Sequence, residues 1–236
     1  MGDDLSPPPP QKRRTGKSGW MEGRLREAAA AVERQNVVAR AYAEDAEEIV
    51  ASSSAGGALS EKGFGVEAGV TWRRLGAGDK QALLAMLERN MKGHYPSSTW
   101  DRVWQGKKRD MASREARYLI LRSRPGSGVA GFCNYRFLVE DEEWIVLYVY
   151  ELQVSQDHRR RGVGKNLTDL CQLLAERTEM QGVMLTTLKC NEGACRFYER
   201  EGFTPSVIDP TVVCPERAAE FDYRILARLF SEAGGE

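Results

Sequence analysis

Histidine is nearly absent from this sequence: only His94 and His158 occur in 236 residues. Cysteine is present five times, as Cys133, Cys171, Cys190, Cys195 and Cys214, but never with C-x-x-C spacing. Together these gaps argue against a structural zinc site. Thiols without a disulfide framework, and no signal peptide, point to a reducing compartment. No apolar run approaches the roughly 20 residues that span a bilayer. Net charge is also missing, with 34 basic against 34 acidic residues. That balance disfavours a non-specific nucleic-acid binder, which is basic as a rule. Gly16-Lys17-Ser18 is not a P-loop, because the upstream glycine position holds Gln11 and no strand precedes it. There is no internal repeat.

What is there suffices for one sizeable core plus an appendage. Residues 1–19 read as a disordered tail, with Pro7 to Pro10 followed by Lys12, Arg13, Arg14 and Lys17. Residues 20–64 read as a polar helix over 21–50 and a linker at Ser52 to Gly57. The folded domain is expected over 65–230, with a tail at 231–236. Within it, strands are expected around Val70–Leu75, Tyr118–Arg122, Phe132–Val139, Trp144–Val154, Val183–Leu188 and Phe221–Leu229. Pro125 to Gly128 and Glu140 to Glu143 read as turns. Helices are expected from Asp79, with Asp79 as N-cap and Leu83, Leu84 and Leu87 on one face, and after Gly164, with Leu167, Leu170, Cys171 and Leu174. A short helix capped by Asn191 and stopped by Gly202 comes later. Hairpins mixed with strand–helix units predict an α+β class with a mostly antiparallel mixed sheet.

The most informative stretch is Tyr148-Val149-Tyr150-Glu151-Leu152-Gln153-Val154, with Arg159-Arg160-Arg161-Gly162-Val163-Gly164 shortly after. Glycines 162 and 164 let the backbone come close to a ligand. The helix they open offers unpaired N–H groups and a positive dipole end, which suit phosphate oxygens. The arginines add charge in fork geometry. A basic surface turn is the plain alternative. Glu151 follows an apolar run, where a solvated charge is not expected. It reads either as a proton acceptor beside a phosphate-bearing cofactor or as an edge-strand carboxylate. Tyr148 and Tyr150 share one strand face by alternation, and both also suit ordinary core packing.

These residues carry a resemblance. Arg159 to Gly164 fits the R/Q-x-x-G-x-G/A signature of the GNAT acetyltransferase superfamily. Asn191-Glu192-Gly193-Ala194-Cys195-Arg196-Phe197-Tyr198-Glu199-Arg200-Glu201-Gly202-Phe203 is similar to its second signature. Tyr95 to Trp100, Arg117 to Ile120, Tyr135-Arg136-Phe137, Leu147 to Glu151 and Val183 to Thr186 further resemble the N-terminal acetyltransferase D (NatD) family. The likeness covers roughly residues 65–230.

The resemblance implies a GNAT fold with an N-terminal helical extension, acetyl-CoA as cofactor, and acetylation of the α-amine of core histone tails beginning Ser-Gly-Arg-Gly. Carried over, Glu151 is the general base with Tyr150 beside it, and Tyr198 the candidate acid for the leaving thiolate. Leu152, Gln153 and Val154, with Arg159, Arg160, Arg161, Gly162, Val163, Gly164, Lys165 and Asn191, hold the cofactor. Tyr95, Trp100, Tyr150, Thr186 and Tyr223 line the peptide site. The sequence departs from the family at Leu138, where the family has an acidic residue directly after the Arg-Phe pair; Glu140 to Glu143, Glu140 first, read either as the replacement that meets the tail's arginine or as a solvated hairpin turn. The resemblance implies a nuclear and cytoplasmic monomer that meets histone tails as substrate, without direct nucleic-acid contact, metal or membrane span. Other acceptors (a different protein N-terminus, a lysine, a small amine) and a catalytically silent binding module stay open. Gly2 fits a myristoylation pattern, but Asp3 and Asp4 follow it, so no acyl anchor is expected.

Overall fold

A computed structural model describes residues 17–123, 128–141 and 143–230. Seven strands form one sheet: β1 Phe64–Thr71, β2 Arg117–Ser123, β3 Val129–Glu140, β4 Trp144–Val154, β5 Gly182–Leu188, β6 Thr204–Pro205 and β7 Tyr223–Leu229. Their spatial order is β1-β2-β3-β4-β5-β7-β6. Each neighbouring pair is antiparallel except β4 with β5. A parallel pair needs a crossover connection, and helix α6, Val163–Arg177, supplies it. The α+β class with a mixed, mostly antiparallel sheet is therefore what forms.

Seven further α-helices are described: α1 Lys17–Ala43, α2 Ala46–Ala51, α3 Ser54–Glu61, α4 Ala77–Met91, α5 Ser97–Met111, α7 Glu192–Arg200 and α8 Pro210–Val213. Alternation along the strands divides the core between the two faces of the sheet. Leu119, Leu121, Cys133, Tyr135 and Leu147 pack with Leu167, Leu170 and Leu174 of α6 and with Val37, Val38 and Ala41 of α1. Tyr118, Ile120 and Phe132 face the other way, against Leu83, Met86 and Leu87 of α4 and Met111 of α5. No helix among the described residues is long and apolar enough to cross a membrane.

The N-terminal region differs from expectation. The polar helix ends at Ala43, and Asp45 caps a separate helix by accepting the N–H groups of Glu47 and Glu48. It is docked: Val37, Val38 and Ala41 are buried, and Phe137 N–H donates to the Tyr42 hydroxyl at 3.1 Å. The segment expected to be a linker is instead helix α3. Ser53 accepts the N–H of Gly56 at 3.1 Å, and Leu59 is 2% exposed. Burial of that leucine, together with the cap, outweighs the poor helix propensity of Gly56 and Gly57. Two other boundaries move. The first strand closes at Thr71, and Leu75 turns into the core beneath α4. That helix starts after Gly76, so Asp79 sits in its first turn and pairs with Arg122 at 2.9 Å rather than capping. Residues 1–16, with the proline run, the Lys12–Arg14 cluster and Gly2, lie outside the described residues, as does most of the Pro125–Gly128 turn.

Candidate active site

The site begins with a defect in β4. Asn134 pairs with Glu151 and Tyr135 with Val149, so Tyr150 is an extra residue with no partner of its own on β3. A bulge of this kind reverses the in/out parity beyond it. Before it, Leu147 and Val149 face α6; after it, Leu152 and Val154 do. Glu151 and Gln153 are thereby turned toward α4 and α5. Pairing of β4 with β5 also ends here, at Val149 opposite Leu185. The two parallel strands then separate, and a cavity of about 870 Å³ opens between them.

One wall of this cavity is backbone. Gly162 takes the left-handed conformation, with φ of 82°, and opens α6 without a side-chain cap. Arg160 is also left-handed, with φ of 60°. The first α6 turn bond runs from Asn166 N–H to Gly162 carbonyl, so the N–H groups of Val163, Gly164 and Lys165 lack intrahelical acceptors. At Gly164 a Cβ would lie 3.2 Å from the Phe197 ring. Glycine there lets α6 and α7 approach closely. Asn191 caps α7 as expected, accepting the Ala194 N–H at 3.2 Å.

The opposite wall is built from side chains. Glu151 is 8% exposed. Its Oε1 accepts from Lys107 Nζ at 2.6 Å, and its Oε2 accepts from Gln153 Nε2 at 3.0 Å. Gln153 Oε1 accepts from Asn90 Nδ2 at 3.0 Å, and Asn90 Nδ2 also donates to the Val154 carbonyl at 3.1 Å. Asn90 Oδ1 in turn accepts from Arg159 at 2.6 Å. A continuous chain of polar contacts thus runs from the arginine turn to the carboxylate. Burial works against the charge on Lys107, but the Glu151 carboxylate outweighs it and holds the ammonium above its ordinary pKa. Burial likewise raises Tyr95, with Lys107 opposing and Glu151 adding to the shift.

Around this pair stand aromatic side chains. Tyr148 and Tyr150 lie with ring centroids 5.4 Å apart. The Tyr148 hydroxyl shares a 2.6 Å hydrogen bond with Thr186, and burial pushes its pKa up to about 12 against that bond. Arg136 stacks over Tyr150 at 3.8 Å and pairs with Asp110 at 3.5 Å. Tyr95 packs on Trp100, which stacks on Trp104. Tyr198 is buried between Phe197 and Phe203 and still reaches the cavity. Burial first, then Cys133 and Glu151, raises its hydroxyl well above the usual tyrosine range.

Most of the sequence-derived candidates meet at this one cavity. Tyr95, Tyr150, Glu151, Leu152, Gln153, Val154, Arg159, Arg160, Gly162, Val163, Gly164, Lys165, Thr186, Asn191 and Tyr198 all line it. Four stand apart from the lining. Trp100 is buried behind Tyr95. Arg161 reaches the Asp157 carbonyl at 3.5 Å. Tyr223 begins β7 opposite Leu188. Glu140 closes the β3–β4 hairpin opposite Trp144, with its carboxyl raised by burial and then by Asp141. Its charge is felt at both Tyr148 and Tyr150. Leu138 packs against the small core of Val146, Met184 and Ala227, a place with no use for a carboxylate. Sequence reasoning missed Lys107, Asn90 and the side-chain role of Gln153. The signal for Lys107 was present: it sits in register with Trp100, Trp104 and Met111, an apolar helical stripe.

The sequence profile of the Acetyltransferase (GNAT) family matches residues 81–203, over half of the chain. N-alpha-acetyltransferase 40 of Saccharomyces cerevisiae is 35% identical over 79 residues; the match takes in 28% of this chain and 28% of that protein's length. Among solved structures, a GNAT-family acetyltransferase from Desulfovibrio desulfuricans is 15% identical with a TM-score of 0.51, over 70% of this chain and 98% of that one. A protein from Pyrococcus horikoshii OT3 is also 15% identical with a TM-score of 0.51, over 71% and 99%.

Proposed function

Given that the chain belongs to the acetyltransferase (GNAT) family, we propose that it acetylates the free α-amine of a protein N-terminus, with histone tails beginning Ser-Gly-Arg-Gly as acceptors. The observation that carries this reading is the buried Glu151 carboxylate, held at the point where β4 leaves β5, in a cavity whose far wall is the open N-terminus of α6. The S. cerevisiae relative, named an N-alpha-acetyltransferase, supports the acceptor class over the stretch it matches.

Acetyl-CoA, when bound, supplies an acetyl group activated as a thioester. The residues present fit it. The left-handed turn at Arg160 and Gly162 and the unpaired N–H groups of Val163 to Lys165 suit pyrophosphate oxygens. Arg159 and Arg160 add charge at the same rim. The stretch Leu152 to Val154, beyond the end of the β5 ladder, presents strand edge toward the cavity, with the Val154 carbonyl already taken by Asn90.

The acceptor amine has an ordinary pKa near 8, so most of it arrives protonated at neutral pH. Glu151 accepts that proton, directly or through one water, and so produces the nucleophile. Tyr198, whose hydroxyl stays protonated across the neutral range, would hold a proton for the departing sulfur. Tyr95, Tyr150 and Thr186 flank the peptide's first residue, with Tyr223 and Trp100 behind them. Glu140, beside the tyrosine pair, meets the arginine at the tail's third position in place of the acid that Leu138 replaces.

The test is incubation of the full chain with acetyl-CoA and a Ser-Gly-Arg-Gly peptide, read by mass spectrometry with fragment assignment. Acetylation of the α-amine is expected. Turnover of a peptide whose α-amine is already blocked would instead indicate side-chain acetylation. No product on either peptide would remove this acceptor class.

A further inference from the structure

We propose that Lys107 is the resident occupant of the acceptor-amine subsite, an internal ammonium that holds Glu151 in the free enzyme and is displaced when the acceptor's own amine arrives. This rests on the function proposed above and adds a residue that governs acceptor choice.

Both carboxylate oxygens of Glu151 are committed. One accepts from Gln153 and the other from Lys107. An incoming amine that is to pass a proton to this carboxylate has to take over one of those positions. Gln153 is not exchangeable at low cost. Its carbonyl oxygen is held by Asn90, which is itself fixed by the Val154 carbonyl and by Arg159. Moving Gln153 breaks that chain and leaves buried polar groups unsatisfied.

Lys107 is held differently. Its ammonium sits 2.6 Å from Glu151 and 5.8 Å from the centre of the Tyr95 ring. Its side chain is 15% exposed, and it lines the cavity rather than lying under it. A lysine is a compact charge on a flexible four-carbon stem, so it can swing aside without moving the helix that carries it. It is also a primary ammonium, as the protonated acceptor is. The subsite is thus already shaped for that group, with a carboxylate at 2.6 Å and an aromatic face beside it.

The exchange explains why a buried carboxylate can wait without its substrate. Leaving Glu151 unpaired at this depth is costly, and Lys107 removes that cost until another cation replaces it. The consequence is a filter. A primary ammonium exchanges like for like, whereas a hydroxyl, or an amine already acylated, has no cation to offer Glu151 and leaves Lys107 in place. Lys107 is therefore a positioning residue whose resting place marks where the acceptor nitrogen goes.

The test measures peptide binding to the full chain by calorimetry at neutral pH without cofactor. One Ser-Gly-Arg-Gly peptide has a free α-amine and the other is α-acetylated. Lys107→Met should bind the free-amine peptide about tenfold more tightly than wild type, because nothing has to be displaced from a buried carboxylate. Affinity for the blocked peptide should stay unchanged. Lys107→Arg, which restores a cation, should return the free-amine affinity toward wild type and again leave the blocked peptide unchanged. Should the methionine variant fail to fold, Lys107→Gln leaves only a neutral donor on Glu151, which a cation displaces more readily than an ammonium, and should show a smaller selective gain of the same sign. Equal changes for the two peptides, or weaker binding of the free-amine peptide, would overturn the proposal and leave Lys107 a structural ion pair. If wild type acetylates the peptide but the variants show no selective gain, displacement alone falls. If wild type neither binds nor acetylates it, the acceptor assignment falls and displacement falls with it.

Discussion

The two walls of the cavity are made in opposite ways. The wall proposed for the cofactor is mostly one stretch, Arg159 to Lys165, joined by the strand edge at Leu152 to Val154, and it presents mainly backbone. The acceptor wall gathers side chains from α4, α5, the bulge in β4, and β5, and Glu151 meets a lysine 44 residues away in sequence. A wall of backbone groups recognises what all its ligands share. A wall of side chains chooses between acceptors, and it can change one residue at a time. Asn90 is the element that joins them, since it contacts Arg159 on one side and Gln153 on the other.

That contrast can be broken by mutation. Glu151→Gln removes the proposed proton acceptor and should lower kcat by roughly 10²- to 10⁴-fold, with a modest change in peptide affinity; unchanged turnover would take Glu151 out of the role. Arg160→Ala acts on the cofactor wall and should raise the acetyl-CoA KM by about tenfold, the size of one charge-assisted hydrogen bond, without altering peptide KM. Asn90→Ala should cross the divide. It releases both Arg159 and Gln153, so the acetyl-CoA KM should rise and kcat fall together, each by several-fold on the scale of one hydrogen bond. If only one parameter moves, the two walls are not linked through Asn90. Tyr148→Phe is the smallest change. It removes the hydroxyl bonded to Thr186 and should cost about 1 kcal/mol or less, seen as a slightly higher peptide KM with the acetyl-CoA KM unchanged.

Legibility in the sequence follows the same divide. Arg159 to Gly164 was readable because the requirement there is local: glycine at a left-handed turn, then a helix whose first N–H groups are free. Asn191 was readable as a cap for the same reason, and the major strands of the sheet announced themselves by apolar runs. Ser52 to Gly57 misled, since its composition is that of a linker while its place beside Val50 and over the β1 edge makes it helical. Asp79 misled too, because a carboxylate in a first helical turn suits a cap until Arg122 claims it. Lys107 was not singled out, because the carboxylate that gives it a role lies 44 residues away in sequence.

The sequence by itself determined that a glycine turn opens a helix whose first N–H groups suit phosphate oxygens, and that an isolated carboxylate follows a run of apolar strand residues. Backbone conformational limits and helix-end chemistry act over a few residues, so these features need no distant partner. Only the tertiary structure decided which way Glu151 faces and what it touches. The bulge at Tyr150 reverses the strand's parity, and without it the carboxylate would point into the leucines of α6. With it, Glu151 meets Lys107, Gln153 and Asn90. A register shift and the partners of a buried charge are set by contacts between distant segments, and those exist only after the chain has folded.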